Sequence, residues 1–162
     1  GRPTGIHTAD PNAVEGCVRE TYGAVEAAFQ AELACDPRVA RAMRIIARDE
    51  ARHAELAWQI QAWARPNLTD DERAAIDGAM QAAAFDLRRD VARDVSPIVA
   101  TVAGVPRTSE AARAVDELAE RLWRPARGRL DRGGGGIRRI LSPTIPSAYV
   151  ANDARFSGRE RG

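Results

Sequence analysis

The sequence predicts an all-α fold, and three features of its 162 residues carry that prediction. First, 44% of the residues are hydrophobic but only 5% are aromatic, so the core is expected to come from Ala, Val, Ile and Leu on closely approaching helices rather than from large rings. Second, apolar residues recur at helical spacing in four stretches. Third, helix start and stop residues stand at the ends of those stretches. Asp-Pro occurs twice, in "ADPN" and "CDPR", and "TDDE" reads as a capping box.

The elements follow in order. Asp10 is expected to cap a helix with Pro11 in its first position, where proline's missing N–H costs nothing, and that helix runs to about residue 34. Asp36 and Pro37 then stop one helix and start the next within a very short turn, so the two must be antiparallel neighbours. The second helix runs to about residue 64 and ends at "RPN". Thr69 to Glu72 opens a third, with acids in the first turn where the helix dipole favours them. Ile76, Met80, Ala83, Leu87 and Val91 stripe it until Ser96-Pro97. A shorter fourth helix starts after Thr108 or Ser109, carries Val115, Leu118 and Leu122, and stops before Pro125. Residues 1–125 therefore read as one helical domain, with a hairpin over about 11–65 and covering helices over about 69–124.

The rest of the chain, 126–162, has scattered apolar residues, many Gly and Pro, and no sustained period, so it reads as a mostly disordered Gly/Arg-rich tail. All 24 basic residues are Arg, a sign of a GC-rich genome before it is a sign of chemistry. Their distribution is informative. From Arg124 onward nine Arg stand against three acids, while the preceding part carries 15 Arg against 20 acids. The overall +1 hides an acidic body and a basic tail. Such a tail could touch phosphate, but only Tyr149 and Phe156 are there to stack on bases, so a solvated extension is favoured over a nucleic-acid arm.

Cys17 and Cys35 have no metal-ligand spacing and read as small apolar residues. No run of about 18 apolar residues occurs, so no membrane span is expected. The sequence opens on "GRPTGIHTADPN" rather than on Met, which puts a processed or partial chain among the expectations.

The second helix raises a chemical question. At 100° per residue, Val39, Met43, Ile46, Ala54, Ala57 and Gln61 gather into one stripe, and Glu50 and His53 of "DEARH" fall within it. A buried carboxylate costs several kcal/mol unless it is compensated, and a neutral imidazole compensates it poorly. A metal ion does so well. Glu-x-x-His sets a carboxylate and an imidazole about 60° apart on adjacent turns, where both can reach one ion. Glu20 and Glu50 stand equally far from position 35, so the hairpin is expected to bring Glu20 to the height of Glu50 and His53, the three converging between the helices beside the small residues Ala13, Ala24, Ala27 and Ala31. Glu15, Glu26, Glu32 and Glu55 miss that height or that face and are assigned to solvent.

These residues resemble a family. A single Glu on one helix, an aromatic two residues later as in "ETY", and a Glu-x-x-His about thirty residues on resemble half of a ferritin-like di-iron carboxylate bundle, the C-terminal half in particular. The resemblance covers about residues 12–63. It implies Glu20 as the single-Glu ligand, Glu50 as the bridging carboxylate and His53 as the terminal imidazole, holding iron or manganese in a di-metal centre. The rest of the ligand set would have to come from elsewhere, because His7 is the only other histidine and no second Glu-x-x-His occurs. The resemblance thus implies either a homodimer of hairpins or a missing N-terminal half. Three functions stay open: a di-metal protein that oxidises Fe²⁺ or handles O₂ or peroxide, a partial ferritin-like domain serving association without catalysis, and a helical scaffold whose basic tail binds nucleic acid.

Overall fold

The computed structural model describes residues 11–124. Over those residues the protein is all-α, with five helices. The expectations for Asp10, His7 and the tail 126–162 fall outside the described residues.

Helix α1 begins as a π-helix, Asn12–Glu20, and continues as an α-helix, Thr21–Leu33. Helix α2 is Pro37–Ala64, closed by a 3₁₀ turn at Arg65–Asn67. Helix α3 is Asp70–Asp90, α4 is Pro97–Ala103, and α5 is Thr108–Leu118, ending in a widened turn at Ala119–Trp123.

Two of the helix starts carry the chemistry their sequences promise. Asp36 accepts from the Arg38 backbone N–H at 2.8 Å, with Pro37 in the first turn. Thr69 and Glu72 form the reciprocal capping box: the Thr69 N–H donates to Glu72 Oε2 at 2.7 Å and the Glu72 N–H to Thr69 Oγ1 at 3.3 Å. The end of α2 is tied to α3 by a forked ion pair, Arg65 to Asp77 at 2.8 and 3.0 Å.

Helix α4 is an element that the sequence pattern did not disclose. It is seven residues long, and Ile98, Val99 and Val102 on it are exposed, so it has no apolar stripe to read. Its role is to close the hairpin tip. The N–H groups of Cys35 and Asp36 donate to the carbonyls of Thr101 and Val102, each at 3.2 Å. Gly104, at φ 64°, then lets the chain pass against the backbone of Ala34, where a Cβ would collide.

Helix α1 is the middle of the assembly. Helix α2 packs along one side of it, and α3 and α5 cover the other. Ile76, Met80, Ala83 and Leu87 on α3 and Val115 and Leu118 on α5 are buried as their stripes predict. The expectation of a core without large rings is corrected: Tyr22, Phe29, Trp58 and Trp123 are all buried. Tyr22, Trp58 and Trp123 belong to one core cluster with the small seam residues Ala13, Cys17 and Ala57. Two of them satisfy their polar atoms on α1, Trp58 Nε1 donating to Thr21 Oγ1 at 3.1 Å and Trp123 Nε1 to the Cys17 carbonyl at 2.8 Å.

One expectation about α2 also needs correction. Its inner stripe is Ala40, Ala54, Ala57, Trp58 and Gln61, with Val39 and Met43 half-buried. Ile46 is exposed. The reason is architectural: α3 and α5 cover α1, not the hairpin's open side, so only one flank of α2 is enclosed.

Candidate half-site in the hairpin groove

The closest approach of α1 and α2 sets the height of every side chain in the groove. Gly16 lies directly against Ala57, leaving no room for a Cβ. The Glu50 carboxylate lies 3.8 Å from where a Gly23 side chain would start. Counting from Gly16 and Ala57 along antiparallel helices, Glu20 stands level with His53, and Glu50 with Gly23. The expected pairing of Glu20 with Glu50 is therefore displaced by about three residues, or about 4.5 Å. Extended backbone at Ala34 and Asp36 carries the chain past the end of α1 before α2 turns back, which accounts for the offset.

The three candidate ligands share one edge of the hairpin but do not converge. The Glu20 carboxylate points back along its own helix, 3.6 Å from the Cβ position of Gly16, as helical side chains do. The Glu50 carboxylate packs instead against Gly23, seven residues further along. Both are half-buried, while His53 is exposed, so the expectation of a buried Glu50 and His53 pair is corrected. From the inner stripe, His53 is turned outward by about 100° relative to Ala54, beyond the reach of α1. Among the described residues, no group of three or more His, Cys, Asp or Glu side chains is gathered closely enough to hold a metal ion.

The environment of the groove is nonetheless unusual in two ways. Glu20 is the last residue of a nine-residue π-helical stretch, a rare conformation whose single-turn form is frequent at functional sites. Cys17, inside that stretch and fully buried, has its thiol pushed up to about 12, first by burial and then by the Glu20 charge beside it. Both causes favour the neutral thiol. Asn12 bridges the helices by donating from Nδ2 to the Ala57 carbonyl at 2.9 Å.

Glu26 is a groove carboxylate that the sequence pattern assigns to solvent and the structure does not. It is half-buried rather than in solvent, and burial raises its pKa. Glu20 and Glu26 stand one turn on either side of Gly23, against which Glu50 packs, so the edge holds three half-buried acids in a row. The i,i+3 spacing around a glycine could have revealed it. Glu15 and Glu32 are exposed, as expected, whereas Glu55, expected in solvent, is half-buried and is corrected with Glu26.

Comparison of the chain with protein-family models, with curated proteins and with solved structures finds no match. No helix among the described residues is long and apolar enough to cross a membrane.

Proposed function

We propose that this protein is a self-associating helical hairpin of the ferritin-like kind, in which Glu20, Glu50 and His53 are half of a site for iron or manganese that a second copy completes. The observation that carries this reading is the placement of Glu50 in the groove against Gly23, with Glu20 and His53 level with each other one turn away. The donor set also supports it: oxygen and imidazole ligands suit Fe²⁺ and Mn²⁺ alike. The described residues of one chain do not gather enough converging ligands for two ions, so no chemical step is assigned to them. The residues of one chain hold the carboxylates half-buried, where their charge favours a cation, and leave the imidazole free to meet one from outside.

A second reading, association without metal, is favoured by the exposure of His53. One experiment separates them. Chelator-treated protein is titrated anaerobically with Mn²⁺ and then Fe²⁺, and bound metal is measured beside the mass in solution. Saturable uptake by a dimer, abolished in Glu50→Ala and His53→Ala while far-ultraviolet dichroism stays unchanged, is the expected outcome. Absence of saturable uptake at about 1 mM metal, far above ordinary site affinities, overturns the metal half of the proposal and leaves association.

A further inference from the structure

We propose that the outer face of α2 is a self-association surface that pairs antiparallel with the same face of a second copy, Asp49 lying opposite the partner's His53. The inference goes beyond the metal reading and does not depend on it.

Alternating steps of four and three residues lead from Ala42 through Ile46, Asp49, His53, Leu56 and Ile60 to Trp63. That spacing is the seam of a coiled coil, a line of side chains that keeps facing a partner helix. All seven residues are exposed, Leu56 by 55% and Trp63 by 76%. The inner stripe of α2 is already occupied by α1, so α2 carries two seams and has used one. Ile46 on one side of a polar centre and Leu56, Ile60 and Trp63 on the other are exposed large apolar side chains gathered on one face, and such a grouping marks an interaction site.

The two polar residues of the seam identify the occupant. In an antiparallel pair each seam position faces the alternate kind of seam position in the partner, so only a few registers are allowed, seven residues apart. One of them sets Asp49 against the partner's His53 and His53 against the partner's Asp49. Outward from that centre it pairs Ile46 with the partner's Leu56, Ala42 with the partner's Ile60, and the half-buried Val39 with the partner's Trp63. Small residues meet large ones, and the acid meets the base. Shifting by one heptad in either direction places Asp49 against Ile60 or Ile46, which buries a carboxylate against a methyl group. A parallel pair in register places Asp49 against the partner's Asp49, which repels. The seam is therefore complementary to itself in one arrangement.

The test is the dimer dissociation constant of the full chain in chelator, by sedimentation equilibrium up to about 100 µM, a range that reaches weak dimers. A dimer is expected. Leu56→Glu should abolish it, and Asp49→His or His53→Asp alone should weaken it about tenfold or more by facing like groups across the axis. The double swap, Asp49→His with His53→Asp, should bring the constant back to within about threefold of the parent, since it restores both pairs and loses only the exposed Asp49–Arg52 bridge. A monomer throughout, a dimer indifferent to Leu56→Glu, or a double swap no better than the single variants would each overturn the proposal. Far-ultraviolet dichroism controls for folding, because none of the substituted residues is buried in the chain. Working in chelator keeps this result separate from that of the metal titration.

Discussion

Trp58 and Trp63 stand five residues apart on one helix, yet Trp58 is 7% exposed and Trp63 is 76% exposed. The difference is a rotation. Five residues advance about 140° around a helix, enough to move a ring from the seam facing α1 to the seam facing solvent. Trp58 fills the space beside Thr21 and gives its N–H to that hydroxyl at 3.1 Å. Among the described residues no such hydroxyl meets the Trp63 ring, which is exposed. What the pair teaches is that α2 is amphipathic twice over, and that burial within one chain accounts for only one of its apolar lines.

The largest effect that can break this comparison lies on the inner seam. Gly16 touches Ala57 so closely that a side chain there must push α1 and α2 apart. Gly16→Val should lower unfolding free energy by about 3 kcal/mol or more, since overpacking a rigid seam costs far more than the fraction of a kcal/mol gained in helix propensity. Urea denaturation checks it. A loss below about 1 kcal/mol would mean that the seam is soft and that the inner face is no better packed than the outer.

The next effect concerns Trp58 itself. Trp58→Phe keeps a ring but deletes the donor to Thr21, a residue with no exposed surface. The hydroxyl then loses its buried partner, for an expected loss of about 1–3 kcal/mol. Adding Thr21→Val in the same chain should recover part of that loss, because it removes the group left unpaired. If the double variant is instead less stable than the sum of the singles, the bond is not what holds Trp58 inward.

Much of this was legible in the sequence, and the reasons are local. Asp36-Pro37 and Thr69-x-x-Glu72 determine helix starts within a few residues, through bonds formed inside those residues. The stripe from Ile76 to Leu87 is on a helix with one covered face, so period alone places it. Helix α2 is where period failed. Two adjacent seams merge into one broad stripe on a helical wheel, and Glu50 and His53 then look equally internal. Which flank is covered depends on where α3 and α5 settle, and nothing within α2 encodes that. Glu26 was misplaced for the same reason: its partial burial comes from the groove and not from its own helix. The height of Glu20 depended on how far Ala34 and Asp36 carry the chain before it reverses, a matter of two backbone angles.

The smallest effect on stability is the one that sharpens the comparison most. Trp63→Ser removes the largest apolar side chain from the outer face, and in dilute, chelated protein it should change unfolding free energy by no more than about 0.5 kcal/mol, as surface substitutions do. The same variant should alter fluorescence strongly. Trp58 and Trp123 are enclosed, so in the monomer the red-shifted, iodide-quenchable part of the emission belongs to Trp63. In the antiparallel pair Trp63 faces the partner's Val39, and raising the protein concentration should shift that part to the blue and shield it from iodide. Trp63→Ser should abolish the concentration dependence and leave the emission of the two enclosed rings in place. A large loss of monomer stability would show that Trp63 belongs to the core of one chain. Emission independent of concentration in a protein that does dimerise would move the contact elsewhere and leave the outer seam of α2 uncovered.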